Sequence, residues 1–443
     1  MPDPPPDTDD VSPDATSPLL FRTHDLLIGV ATAALQIEGG DRNNNWYDWA
    51  TLPGTIADGS SPLRATDHWR RWREDTAILA DLGLQTYRMS VEWSRIEPRP
   101  GEVDRAALAH YREEIAAVRA AGIEPLVTLH HFSHPSWFQG LGAFTNPAAP
   151  DLFLRLTETV VAALGDLVTD WVTINEPNVY AVQAHLYGQA PPARHSWPAV
   201  RSTLRHMAIA HCRAYHRIHQ LQPAARVGFA HHARVFAPFN AHNPLHRTSS
   251  ALGRALFQDL LADAMLGGRF SRLLGRQPAD VTPGRHYDYL GLNYYSRSAV
   301  RGLADGTFPG VPVNDLGWEI YPDGVVQVAA DLHRRYPGPI WVTENGTADA
   351  ADAFRARFVH DHLRAIVGSG LPFERYYHWC LVDNWEWAQG ERPRFGIVAI
   401  DHETQHRTVR DSGRFLARVI ADGGVSRACY EQFVAGQAYP TGS

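Results

Sequence analysis

The sequence predicts an α/β fold: a single (β/α)8 TIM barrel with enlarged βα loops. Three observations carry that expectation. Eight short apolar runs rich in β-formers recur along the 443 residues. Longer stretches of helical period separate them. Carboxylates, amides and histidines stand at the ends of most runs, where a barrel of this kind gathers its chemistry.

Taken in order, the first run spans 27–31 and is followed by a helical face of Trp69, Trp72, Thr76, Leu79 and Leu82. The second, 86–90, carries Arg88. The third, 124–129, leads into His130 and His131. The fourth, 171–175, ends at Asn175 and Glu176. A second helical face follows, made by Leu204, Ala208, Cys212, Tyr215 and Ile218. The fifth run, 226–230, precedes His231 and His232, which leave two readings open: the outer side of a site, or a solvated loop. The sixth, 289–293, ends at Asn293, two residues before Tyr295. The seventh, 340–343, abuts Glu344 and Asn345, and the eighth, 376–381, precedes Asp383 and Asn384. Two doubly wound domains are the competing architecture, but no Gly-x-Gly-x-x-Gly follows the first run.

Composition narrows the function. Apolar residues make up 44% of the chain and the net charge is −7. That gives ample core material and no basic surface for nucleic acid or an anionic membrane. No apolar run approaches the ~18 residues of a membrane span. All 41 basic residues are arginine. Without lysine there is no Schiff-base or pyridoxal-phosphate chemistry and no P-loop. Residues 1–20, with prolines at 2, 4, 5, 6, 13 and 18, are expected to be a disordered tail, and 21–443 the catalytic barrel. The tail lacks the pattern of a secretion signal, and Cys212, Cys380 and Cys429 are too few and too scattered for a disulfide framework. The expected location is the cytoplasm.

Two glutamates stand out. Glu176 lies in Thr173-Ile174-Asn175-Glu176-Pro177 and Glu344 in Trp341-Val342-Thr343-Glu344-Asn345-Gly346. Each ends an apolar run before a breaker. Closing the barrel brings the fourth and seventh strands to one mouth, and two carboxyl groups meeting there are what glycoside hydrolysis requires. His130, His131 and His134 offer a metal reading, but no His-x-His follows the first run, so no metal and no cofactor are expected.

The motifs extend well beyond the glutamates. They include Gln36-Ile37-Glu38-Gly39, Tyr87 to Ile96 (Tyr-Arg-Met-Ser-Val-Glu-Trp-Ser-Arg-Ile), Leu129-His130-His131-Phe132 and Gly291-Leu292-Asn293-Tyr294-Tyr295. Further on come Gly317-Trp318-Glu319-Ile320-Tyr321-Pro322, Asp383-Asn384-Trp385-Glu386-Trp387-Ala388 and Arg394-Phe395-Gly396. In this order, over roughly residues 25–415, the chain resembles glycoside hydrolase family 1, the retaining β-glucosidases and β-galactosidases.

That resemblance implies roles. Glu344 is the nucleophile, kept ionised by Arg88 and Tyr295, and Glu176 is the acid/base. Gln36, His131, Asn175, Asn293, Glu386, Trp387 and Phe395 bind the substrate, Trp379 is the platform beneath the sugar, and Trp318 lines the aglycone entrance. The implied activity is an exo-acting β-glycosidase, most simply a β-glucosidase with galactosidase or fucosidase side activity. Its partner is a small β-glycoside or short oligosaccharide; the oligomeric state stays open. Glycosyl transfer, sugar binding without catalysis, and a metal-dependent barrel hydrolase are the alternatives. Two departures affect the sugar contacts: Phe132 stands where many members carry tryptophan, and 389–393 lack the usual aromatic. Glu386 and the absence of lysine disfavour phosphorylated sugars.

Overall fold

The computed structural model of the chain describes residues 18–23 and 25–442. Eight parallel strands close a barrel in chain order: β1 (Leu27–Ala31), β2 (Thr86–Ser90), β3 (Glu124–His130), β4 (Asp170–Asn175), β5 (Arg226–His232), β6 (Leu290–Asn293), β7 (Ile340–Asn345) and β8 (Phe373–Trp379), which pairs back onto β1. All eight expected runs are barrel strands. They read as near-continuous apolar runs because helices cover the outside and side chains fill the inside. The largest departure is β8, expected at 376–381. Its first residues include Glu374 and Arg375, which do not read as core. Arg375 is buried all the same, because Asp170 neutralises it at 2.8 Å. Cys380 and Leu381 are buried and apolar but lie beyond the strand.

The outer ring follows the strands: α1 (His68–Asp81), α2 (Arg105–Ala120), α3 (Ala149–Leu164), α4 (Trp197–Leu221), α5 (Leu260–Gly267), α6 (Asp323–Arg335), α7 (Arg355–Gly368) and α8 (Asp411–Asp422). The predicted faces point inward. Trp72, Thr76 and Leu79 of α1 are buried, as are Leu204, Ala208, Cys212 and Ile218 of α4, while Trp69 and Tyr215 are half-buried. One polar knot ties this shell together. His68 of α1 sits between Asp75 (2.7 Å) and Glu114 of α2 (2.8 Å), and Arg407 closes onto Asp75 at 2.7 Å. Enlarged loops sit at the carboxyl ends of the strands; those after β5 and β6 together form a small sheet of Val235–Pro238, Arg297–Arg301 and Ala304–Gly306.

Residues 1–17 of the expected tail lie outside the described residues. Leu19 and Leu20 belong to a strand, Leu19–Arg22, that pairs antiparallel with Gly424–Ser426. Backbone pairing holds this segment although its side chains alternate between half-buried and exposed. Among the described residues no helix is long and apolar enough to cross a membrane. The three cysteines are buried free thiols.

Candidate active site

Glu176 follows the last residue of β4 and takes a left-handed backbone conformation, φ 42° and ψ 57°. For a non-glycine residue that costs about 1–3 kcal/mol, a strain typical of functional turns. The surroundings hold it there: its N–H donates to Ala230 O at 2.8 Å, and its carbonyl accepts from Tyr180 N–H at 3.0 Å. Pro177 then opens the short helix Pro177–Val182, where a missing N–H is harmless.

Glu344 lies within β7. Asn345 fixes the strand end, donating to Tyr294 O at 2.8 Å and accepting from Tyr376 O–H at 2.9 Å. Gly346 is dictated by space, since a Cβ there would stand 2.0 Å from Trp379 O. Thus the Thr-Glu-Asn-Gly motif locks the nucleophile candidate against β8.

A continuous chain of donors links the two glutamates. Arg88 Nη1 donates to Glu344 Oε1 at 2.6 Å, and Tyr295 O–H to Glu344 Oε2 at 2.6 Å. Arg88 Nη2 donates to Asn175 Oδ1 at 2.7 Å, and its Nε to Thr128 Oγ1 at 3.1 Å. Asn293 Nδ2 donates both to Asn175 Oδ1 (3.0 Å) and to Glu176 Oε1 (2.9 Å), while Asn293 Oδ1 accepts from Thr343 O–H at 2.7 Å. His232 Nδ1 lies 2.9 Å from the same Glu176 Oε1. Asn293, expected among the sugar ligands, therefore spends its amide hydrogens inside the protein and orients Glu176.

The two carboxyls are coupled. Burial pushes Glu344 up to about 7, opposed by Arg88 and Tyr295 and reinforced by the Glu176 charge. Burial also works to raise Glu176, but His232, Asn293 and Arg88 outweigh it and hold this carboxyl below its ordinary value. The pull of His232 includes a charge that exists only while its ring is protonated. With a neutral ring that charge is absent, and burial is opposed only by the hydrogen bonds from His232 and Asn293 and by the Arg88 charge. Glu344 keeps its two strong donors, a guanidinium and a short hydroxyl, in either case.

The remaining expected residues gather beside this pair. Gln36, in the short helix Ala34–Ile37, donates to Asn384 Oδ1 (3.1 Å) and Trp385 O (3.0 Å), and its Oε1 is buried without a protein partner. His131 Nε2 accepts from Asn175 Nδ2 at 3.0 Å, which places its proton on Nδ1, also buried without a partner. Burial and Arg88 keep the His131 ring neutral. Trp379 Nε1 donates to Glu386 Oε1 at 3.1 Å. Glu386 is half-buried, and burial, with Glu344 nearby, pushes it up to about 8. The His131 ring stacks 5.9 Å from Trp379 and 6.1 Å from Trp387. Phe132, also in the left-handed region (φ 67°), meets Trp387 edge-on at 5.1 Å. Asp383 holds this last loop in place through Arg410, with both contacts at 2.8 Å.

Trp318 stands at the rim, 40% exposed, 5.9 Å from the Tyr295 ring and 6.1 Å from Phe395, which is buried. In the stretch 389–393, Glu391 turns away to pair with Arg64 at 2.7 Å. His130 and His134 approach each other at 3.4 Å, and His134 meets Gln139. Among the described residues no group of three or more His, Cys, Asp or Glu side chains is arranged to hold a metal ion. The sequence had marked His232 only for its place after the fifth run; nothing local announces its contact with Glu176.

Residues 20–425 match the sequence profile of glycosyl hydrolase family 1. The chain is 31% identical over 435 residues to β-glucosidase A of Thermotoga maritima, covering 90% of this chain and 97% of that one. It is 29% identical over 432 residues to the chloroplastic galactolipid galactosyltransferase SFR2 of Arabidopsis thaliana, covering 91% of this chain and 66% of that protein. Among solved structures, the Thermotoga maritima β-glucosidase in complex with glucoimidazole superposes with a TM-score of 0.84 at 29% identity, covering 91% of this chain and 99% of that one.

Proposed function

Since the chain belongs to glycosyl hydrolase family 1 and is a glycoside hydrolase, we propose that it is a retaining, exo-acting β-glucosidase working by double displacement. The observation that carries this reading is the donor chain from Glu344 through Arg88, Asn175 and Asn293 to Glu176. It gives two carboxyl groups different partners within one site. Glu344, between a guanidinium and a tyrosine hydroxyl, is furnished as the anion that attacks the anomeric carbon. Glu176, with an amide and an imidazole on one oxygen, has its other oxygen to carry a proton.

In the first step Glu176 passes its proton to the departing glycosidic oxygen while Glu344 forms a bond to the anomeric carbon. The resulting ester removes the Glu344 charge. Glu176, now a carboxylate, takes a proton from water as that water displaces the ester. Gln36 Oε1 and His131 Nδ1–H supply an acceptor and a donor suited to sugar hydroxyls. Glu386 accepts further hydroxyl bonds, and Trp379 and Trp387 cover the C–H face. The three free thiols suit a reducing, cytoplasmic setting.

The test is product stereochemistry by NMR on aryl β-glycosides with Glu344→Ala. Turnover should vanish, and added azide should restore an α-glycosyl azide; undiminished turnover refutes the assignment. In Glu176→Gln, substrates with poor leaving groups should slow far more than activated ones. Glycosyl transfer is the second reading, favoured by the similarity to a galactosyltransferase. Running the same NMR assay with acceptor alcohols separates the two.

A further inference from the structure

His232 closes the β5 strand in register with Asn293 of β6. Its Nδ1 and the Asn293 amide converge on one oxygen, Glu176 Oε1, each at 2.9 Å. The ring is held on two sides: it stacks on Tyr295 with centroids 6.0 Å apart and planes 18° from parallel, and meets Phe257 edge-on at 5.9 Å. Its side chain is 18% exposed, so the ring reaches solvent. Tyr295, which stacks on this ring, is also the residue that donates to Glu344. His232 thus touches the partners of both glutamates.

We propose that His232 is a positioning residue whose charge decides which of the two glutamates carries their shared proton. When neutral, its Nδ1–H and Asn293 fill Oε1, so the proton of Glu176 resides on Oε2, ready for the leaving oxygen. When Nε2 takes a proton from solvent, the imidazolium forms a charge-assisted bond with a Glu176 carboxylate. The proton of Glu176 is then released and Glu344 binds one in its place. The nucleophile is neutral, the acid is ionised, and the site is idle. The proposal rests on the roles given to Glu176 and Glu344 above.

The charged and titratable groups around the ring come from every neighbouring element. They are Glu176 after β4, Tyr295 after β6, Glu344 on β7 beyond the Tyr295 hydroxyl, and Arg88 on β2, which acts on both glutamates. His231 precedes it on β5, and Arg234 lies over the Phe257 ring, paired with Asp305. Of these, only Glu176 makes a direct hydrogen bond to the imidazole.

The test compares His232→Asn and His232→Leu with the parent enzyme. The pH profile of kcat/KM is measured on 2,4-dinitrophenyl β-glucoside, an activated substrate, and on phenyl β-glucoside, a poor one. Both variants should extend activity to lower pH, the acid limb moving down by about one pH unit, a tenfold change in proton concentration. His232→Asn, which keeps an N–H donor, should retain the parent's leaving-group dependence. His232→Leu should lose about tenfold more on the phenyl than on the dinitrophenyl substrate. An unmoved acid limb in both variants overturns the proposal. So does a loss that is equal for both substrates at every pH, which would mark His232 as packing or an aglycone contact. Glu176→Gln is run alongside. If it shows no leaving-group dependence, the acid role itself fails, and that outcome is distinguishable from failure of His232 alone.

Discussion

Replacing Tyr295 by phenylalanine removes one oxygen and leaves the ring. The lost atom donates to Glu344 Oε2 at 2.6 Å, within the short range of charge-assisted O–H···O bonds. Bonds of this kind to a charged group are worth about 1.5–3 kcal/mol. The ionised form of Glu344 alone loses that stabilisation, so its proton affinity rises by about 1–2 pK units at 1.36 kcal/mol each. Glu344 already stands near 7 in this buried site, with Arg88 as its remaining strong donor. Fewer donors to the anion mean a higher pKa, so the acid limb of kcat/KM must move to higher pH. Because the two carboxyls titrate together, that limb belongs to the pair. On the acid side of the profile, kcat/KM on an aryl β-glucoside should fall by about 10- to 100-fold, the same one to two pK units expressed as a rate. Well above the limb the loss should be much smaller. Stacking on His232 and the edge-on contact with Trp318 survive in the variant, so general collapse of the rim is not expected. A limb that stays in place, or moves to lower pH, would refute the claim that Tyr295 stabilises the Glu344 anion.

Two further outcomes follow from other parts of the molecule. Glu386→Ala should reduce kcat/KM on unsubstituted glucosides by about 2- to 13-fold near neutral pH, where burial keeps this carboxyl largely protonated, the kinetic equivalent of about 0.5–1.5 kcal/mol for a neutral hydrogen bond; steady-state kinetics that match the parent would remove Glu386 from the sugar site. His68 governs stability instead. Against the burial that lowers it, Glu114 and Asp75 raise this imidazole to about 10. A folded-state pKa above the unfolded 6.5 means that its contribution is complete below pH 6.5 and fades as pH rises towards 10. His68→Leu should cost about 3–5 kcal/mol near neutrality, because two buried carboxylates lose their shared partner. Denaturant unfolding measured from pH 6 to 10 should show the parent and variant curves converging at the alkaline end, whereas a constant gap would argue against the charged pairing.

Much of this protein was readable along the chain. The strands were legible because a barrel buries them on both faces, which leaves a mark in each short run whatever its partners. Glu176 and Glu344 were legible for a related reason: each is a charge set against an apolar run and followed by Pro177 or by Asn345-Gly346. The start of β8 was hidden, since Arg375 is buried by an acid from β4 that local pattern cannot reveal. The division of labour in the site was hidden too. Asn293 and Asn175 look alike as strand-end amides, yet one orients Glu176 while the other also meets the His131 ring.

What the sequence by itself determined is periodic and local: eight strands, their helices, and the two acids placed at strand ends. The tertiary structure alone decided which groups meet. Arg88 and Glu344 are 256 residues apart, and Glu176 and His232 are 56 apart. The physical reason is that hydrophobic period acts within a few residues. A hydrogen bond across the barrel mouth instead depends on the distance and direction of two side chains, and those exist only once the ring of strands has closed.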